Sequence, residues 1–208
     1  MIISYPLGDN LYLNITNRCS NACEFCIRDG KKKDTGDWQS DSDLVGTDQL
    51  WLDYEPTVDE IIADLQKRDL TAYKEVVFCG FGEPFMRFDD CVMIAKWLKE
   101  QNVSVRVNTN GQANLIHNRD VTSEMVGLFD VVSISLNAEN AEKYEQICHS
   151  DFPQHAYKGL LNFATLCAQK GMKVIMTVID SIGEESIEAC KKIAENHGAT
   201  LRVRALIE

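Results

Sequence analysis

Short runs of β-branched and apolar residues alternate along this chain with longer amphipathic stretches. The first amphipathic stretch opens with a capping-box pattern, in which Thr57 stands three residues before Glu60. Together these stretches predict helices at about residues 57–69, 89–101, 122–128, 141–148, 155–170 and 184–197. The short runs predict six strands, at residues 11–16, 75–79, 104–108, 131–136, 173–179 and 200–206.

The alternation of strands and helices predicts an α/β protein with parallel strands and right-handed crossovers. A complete (β/α)8 barrel usually needs about 250 residues, whereas this chain has 208. The sequence therefore predicts a partial (β/α)6 barrel of the TIM type, in a single domain over residues 1–208. The functional site is expected at the carboxyl ends of the strands, as in other parallel β/α folds.

One stretch, at about residues 29–56, does not fit the alternation. It is polar and rich in Gly, Asp and Ser. Loops longer than about 12 to 15 residues are usually functional or disordered. We interpret this stretch as a lid beside the functional site, and a solvated surface insertion is the alternative interpretation.

Composition and charge narrow the class of protein. The net charge is −11 and the longest basic run is Lys31 to Lys33, which argues against a broad nucleic-acid surface. No apolar stretch is long enough to span a membrane, and the amino end lacks a secretory pattern. We therefore expect a cytoplasmic protein whose cysteines stay reduced. Five cysteines in apolar segments are predicted core residues: Cys79, Cys91, Cys148, Cys167 and Cys190.

The remaining three cysteines are closely spaced. Cys19, Cys23 and Cys26 lie in the run NRCSNACEFC, directly after the first predicted strand. Thiolates are soft ligands, and four of them normally complete a [4Fe–4S] cluster or a structural zinc site. Three local thiolates favour a cluster with one iron that has no protein ligand, and such an iron can bind a small molecule. Zinc or an electron-carrier cluster remains open at this point.

Polar turns follow three other predicted strands. The second strand leads into G-F-G-E-P, where Gly80 and Gly82 allow close approach of a ligand and Glu83 offers an acceptor for an ammonium group. The third leads into Asn108-Thr109-Asn110-Gly111, and the fourth into Ser135-Leu136-Asn137. Taken alone, each of these turns is only weak evidence for a ligand-binding site. Thr177, Val178 and residues 202–205 are candidate floor residues for a nucleoside, although ordinary strand packing is the favoured explanation for them.

The cysteine spacing C-x3-C-x2-C, with Phe25 before the last cysteine, resembles the radical S-adenosylmethionine (SAM) superfamily. The turn containing Gly80, Gly82 and Glu83 resembles that family's GGEP element, with Phe81 in place of one glycine. In the family this element holds the amino group of SAM. The resemblance makes Cys19, Cys23 and Cys26 the expected cluster ligands and places Phe25 beside the cofactor.

The later turns extend the resemblance. Asn108 and Asn110 match the family's TNG turn, while Ser135 and Asn137 match an S-L-D-G pattern that supplies SAM carboxylate and ribose contacts. Asn137 replaces the frequent aspartate, so it offers a hydrogen bond without charge.

The family's activity is the expected function. The resemblance implies a [4Fe–4S] cluster and SAM as cofactors, with reductive cleavage of SAM to a 5′-deoxyadenosyl radical that abstracts hydrogen from an unknown substrate. It also implies an electron donor such as flavodoxin or ferredoxin. Two alternatives are a glycyl-radical activase that acts on a partner enzyme and a non-catalytic iron–sulfur electron carrier.

The segments CEFCIR and VVFCGFGEP, in a short chain without a second cysteine cluster, resemble the small TatD-associated radical SAM proteins. This finer resemblance implies a hydrolase of the TatD family as a possible partner. It leaves the substrate undefined.

Overall fold

The computed structural model describes residues 1–26 and 50–205. Within these residues, one sheet contains seven strands in sequence order: β1 (Ser4–Leu7), β2 (Asn10–Leu13), β3 (Val76–Phe78), β4 (Val105–Thr109), β5 (Val131–Ser135), β6 (Lys173–Ile179) and β7 (Thr200–Arg204). The described helices are α1 (Val58–Leu65), α2 (Phe88–Glu100), α3 (Ala113–Ile116), α4 (Thr122–Met125), α5 (Ala141–Cys148), α6 (Ala156–Gln169) and α7 (Glu184–Asn196). Short 3-10 turns lie at Leu70–Ala72, Pro84–Arg87 and Asp180–Ile182.

Strands β2 to β7 are all parallel, and each pairs with the next strand along the chain. A parallel sheet in sequence order winds in one direction, so its crossover helices cover the same face. The fold is therefore α/β of the partial-barrel type, which confirms the predicted fold class.

Strand β1 was not predicted. It pairs antiparallel with β2 through a tight turn between Leu7 and Asn10, where Gly8 has a φ of +56°. It contains Pro6, and proline is tolerated there because β1 is an edge strand. The predicted capping box of α1 is confirmed, because Thr57 Oγ1 accepts from the Glu60 N–H and the Thr57 N–H donates to Glu60.

The two faces of the sheet differ in character. Alternate strand residues such as Leu13, Val107 and Ile134 join the helices in one large apolar core. The other face, which we call the inner face, has a small apolar cluster of Tyr5, Leu50 and Phe81 beside strands β1 and β2. The rest of the inner face is largely polar.

Residues 29–49 of the predicted lid lie outside the described residues. The end of that stretch is described and lies beside the inner face, because Leu50 packs in the cluster with Tyr5 and Phe81. Two residues after Leu50, the backbone of Leu52 is held by the side chain of Asn17. The Asn17 side chain donates to the Leu52 carbonyl at 2.8 Å and accepts from the Leu52 N–H at 3.1 Å. No helix in the described ranges is long and apolar enough to cross a membrane.

Candidate functional site

The cysteine loop follows β2 and lies against the carboxyl end of α5. Its backbone pairs with that helix end, with the Ala22 N–H donating to the Cys148 carbonyl and the Glu24 N–H to the Ile147 carbonyl, each at 2.9 Å. The Asp151 N–H donates back to the Ser20 carbonyl at 2.8 Å. The loop is thus held at the edge of the sheet where parallel β/α folds bind their ligands.

The three thiols of this loop are partly exposed, whereas those of Cys91, Cys148 and most other described cysteines are buried. The Cys19 thiol accepts a hydrogen bond from the Asn21 N–H at 3.4 Å and lies 4.0 Å from Asn110 Nδ2. Phe25 is half-buried between Cys23 and Cys26. In the described part of the chain, no three Cys, His, Asp or Glu side chains converge closely enough to hold a metal ion.

The Cys23 thiol contacts Cys148, which lies outside the cysteine loop. A hydrogen bond to Cys148, together with burial, raises the pKa of the Cys23 thiol far above its usual range. The same bond lowers the pKa of Cys148, which also accepts from Asn137 Nδ2 at 3.3 Å. The donor set, three thiols on one loop, suits a [4Fe–4S] cluster chemically.

The G-F-G-E-P turn packs directly on the chain that enters the cysteine loop. A Cβ atom at Gly82 would overlap the carbonyl oxygens of Thr16 and Arg18, and one at Gly80 would overlap the side chain of Asn14. The Glu83 N–H donates to the Arg18 carbonyl at 2.8 Å. Both glycines are therefore needed for this close approach.

Glu83 is 3% exposed and joins this turn to the one after β4. One carboxylate oxygen accepts from Thr109 Oγ1 at 2.7 Å and the Phe85 N–H at 3.0 Å, and the other accepts from the Asn110 N–H at 2.6 Å. Burial raises the pKa of Glu83 despite these three donors. The sequence predicts that Glu83 is an acceptor for an ammonium group, and in the structure its carboxylate accepts three hydrogen bonds from the protein.

The predicted asparagines occupy different places. Asn110 reaches the cysteine loop, where its Nδ2 donates to Ser20 Oγ at 2.8 Å. Asn108 lies on the inner face, and its Oδ1 is buried with no partner among the described residues. Asn137 is buried with a φ of +60°, and its amide donates to Cys148. Ser135 is half-buried on the inner face and pairs in register with Thr177.

The candidate floor residues of β6 divide between the two faces. Val178 belongs to the helix-side core, in agreement with the favoured explanation of ordinary strand packing, and is not a floor residue. Thr177 has the opposite orientation because strand side chains alternate.

A buried polar network was missed by the sequence analysis. Gln112, fully buried after β4, donates to Asn21 Oδ1 at 2.8 Å and to the Tyr144 hydroxyl at 3.0 Å. Its carbonyl oxygen accepts from Ser20 Oγ and Ser150 Oγ, both at 3.0 Å. The network links the cysteine loop to β4 and α5, and no local pattern signals contacts between residues this far apart in sequence.

Two known proteins resemble this chain over nearly its whole length. A probable GTP 3′,8-cyclase from Methanothermobacter marburgensis is 24% identical over 200 residues, which are 96% of this chain and 58% of that protein. The structure of Streptococcus suis SuiB bound to S-adenosylmethionine superposes with a TM-score of 0.70 at 14% identity, covering 96% of this chain and 41% of SuiB. The chain thus spans well under two thirds of either relative.

A radical SAM methyltransferase from Sphaerobacter thermophilus has the same fold, with a TM-score of 0.67, 14% identity, and coverage of 96% of this chain and 57% of that one. The profile of the Radical SAM superfamily matches residues 13–196, a range that contains the cysteine loop and all of the turns described above. On this match, the chain belongs to the Radical SAM superfamily.

Proposed function

We propose that this chain is a radical SAM enzyme that holds a [4Fe–4S] cluster through Cys19, Cys23 and Cys26 and binds SAM beside it. The observation that carries the proposal is one loop that presents three partly exposed cysteines at the carboxyl edge of the sheet, with the G-F-G-E-P turn packed on the chain that enters it. Family membership supports the cofactors, because radical SAM neighbours bind SAM and a [4Fe–4S] cluster.

The turns around the loop are the proposed SAM site. Phe25, Gly80, Gly82, Asn108, Asn110, Ser135 and Asn137 are the proposed cofactor contacts, and Glu83 contributes by holding two of the turns together. When bound, the cluster and SAM supply reductive cleavage of SAM to a 5′-deoxyadenosyl radical, which removes hydrogen from the substrate.

The chain's own residues position the reactants and restrict the access of water to them. The Glu83 contacts fix the turn after β3 relative to the turn after β4. The apolar side chains of Tyr5, Leu50 and Phe81 pack together and cover one side of the inner face. A dry pocket protects reactive intermediates from side reactions.

Several finer assignments rest on the sequence resemblance. They are membership of the TatD-associated subgroup with a TatD-family hydrolase as partner, a flavodoxin or ferredoxin as electron donor, a cytoplasmic location, and a lid within residues 29–56 of a single domain. The cyclase activity named for the Methanothermobacter relative belongs to a longer protein. It does not define the substrate here.

The test is anaerobic reconstitution with iron and sulfide, followed by dithionite and SAM. We expect 5′-deoxyadenosine and methionine as products, and a SAM-dependent change in the EPR spectrum of the reduced cluster. A reduced cluster whose spectrum ignores SAM would identify an electron carrier instead. A protein that retains only zinc would remove the proposal altogether.

A further inference from the structure

The backbone of the cysteine loop holds Cys23 against the end of helix α5. The Ala22 N–H donates to the Cys148 carbonyl, and the Glu24 N–H donates to the carbonyl of the residue before Cys148, each at 2.9 Å. Cys23 lies between Ala22 and Glu24. Backbone hydrogen bonds on both sides of Cys23 therefore fix it beside Cys148.

This backbone pairing has the dimensions of a disulfide. It continues in an antiparallel bridge between Asn21 and Ser150. Antiparallel partners have Cα atoms about 4.5 to 5.5 Å apart, and disulfides span Cα separations of about 4.4 to 6.8 Å. The pairing is thus compatible with a bond between the sulfurs of Cys23 and Cys148.

The two side chains also meet. Cys148 is fully buried in the helix-side core, and the partly exposed Cys23 packs against that core. The two thiols are in contact, and Asn137 Nδ2 fixes the Cys148 sulfur by donating to it at 3.3 Å. Cysteines that undergo reversible oxidation are solvent-accessible and often lie next to a second cysteine that resolves the oxidised form. Cys23 and Cys148 have this arrangement.

We propose that Cys23 and Cys148 are a reversible disulfide site, which closes only while Cys23 is not bound to iron. The co-reactant is a small disulfide such as oxidised glutathione. Cys23 is the exposed partner and attacks first, forming a mixed disulfide and releasing one glutathione. Cys148 then attacks the Cys23 sulfur, which forms the protein disulfide and releases the second glutathione. The two electrons and two protons of the protein thiols are then on two molecules of reduced glutathione.

Closure of the pair controls access to the cluster site. Thiolates are the ligands of iron, so a Cys23 sulfur held in a disulfide cannot serve as one. A disulfide can be reduced again, whereas higher oxidation of a free thiol is largely irreversible. This consequence rests on the proposed function, since it names a regulation of that same site. The disulfide itself requires only the contact between Cys23 and Cys148.

The experiment equilibrates the full chain, purified without added iron, in anaerobic mixtures of reduced and oxidised glutathione. The raised pKa of the Cys23 thiol slows the first attack, so equilibrium is approached from both the reduced and the oxidised protein. Free thiols are then blocked with N-ethylmaleimide. Mass spectrometry of the tryptic digest measures the link between residues 19–28 and residues 144–158. We expect its equilibrium constant to be at least about tenfold larger in the folded chain than in concentrated urea.

Four variants and the loaded protein assign the link. Cys23→Ser is the primary variant, because it changes a partly exposed position, and it should abolish the link, as should Cys148→Ser. Cys19→Ser and Cys26→Ser are the matched controls, since each makes the same change in the same loop and should keep the link. In the cluster-loaded wild type, we expect no link in the same glutathione mixtures.

Several results would overturn the proposal. They are the absence of the link in the folded wild type, equal stability of the link in the folded chain and in urea, and a link that survives in Cys23→Ser. Equal linkage with and without the cluster would show that iron and Cys148 do not compete for Cys23. The proposed function fails separately, through the absence of a SAM effect on the EPR spectrum, and the link in the chain without iron is measured independently of that result.

Discussion

At the scale of single residues, the contact between Cys23 and Cys148 raises the question of whether three or four thiols hold the iron–sulfur cluster. Their thiols contact each other in the structure, yet only Cys23 belongs to the C-x3-C-x2-C loop. If Cys148 were a fourth ligand, the cluster would have no open iron for SAM.

We expect Cys23→Ala to lose the cluster and Cys148→Ala to retain it, because the loop supplies all three ligands. Iron and sulfide content after anaerobic reconstitution, together with the EPR spectrum, measures the outcome. Cys190→Ala controls for the removal of a buried thiol elsewhere. Loss of the cluster in Cys148→Ala would show that four thiols hold it.

The protonation state of Glu83 should affect the free energy of unfolding. Replacing it with Gln turns an acceptor into a donor that faces N–H groups, so Glu83→Gln should destabilise the fold by about 1 to 3 kcal/mol. Because burial raises the folded pKa, the wild-type carboxyl contributes most below its unfolded pKa, and this contribution is lost as pH rises through the folded pKa.

The difference in unfolding free energy between wild type and Glu83→Gln should therefore narrow as pH rises from the unfolded pKa of about 4.3 through the raised folded pKa of Glu83. Urea unfolding at several pH values measures it. Glu195→Gln, an exposed position on α7, controls for the loss of a surface carboxylate. A difference that stays constant across this range would contradict the assignment.

At the scale of elements, Gln112 joins three parts of the chain: the turn after β4, the cysteine loop and the residues around α5. Gln112→Leu leaves several buried polar groups without partners and should cost about 2 kcal/mol or more in urea unfolding. Gln66→Leu makes the same change at an exposed position and should have little effect. Equal stability of the two variants would show that the network contributes nothing.

At the scale of the whole molecule, a ligand that binds only the folded state must stabilise it. At a concentration of 100 times its Kd, SAM should add about 2.7 kcal/mol, which for a chain of this size raises Tm by roughly 5 to 10 °C. Thermal unfolding under anaerobic conditions should show this shift in the cluster-loaded wild type and a much smaller one in Cys23→Ala. An equal shift in both proteins would mean that SAM does not need the cluster.

Local patterns predicted much of this molecule. The predicted bounds of α5 and β6 agree with the structure, and the capping box at Thr57 formed as expected, because periodicity and capping depend on neighbours within a few residues. The helix-side core follows from the same periodicity. Strand β1 was missed because its pairing with β2 and its position at the edge depend on the assembled sheet.

The sequence by itself determined the order of strands and helices, the spacing of the three cysteines and the glycine turns that follow the strands. Only the tertiary structure decided that Cys23 contacts Cys148, that Glu83 is buried between two turns, and that Gln112 binds both Asn21 and Tyr144. These contacts join residues on separate strands and loops. They form only when the whole sheet brings its strand ends together, so no local pattern in the chain could reveal them.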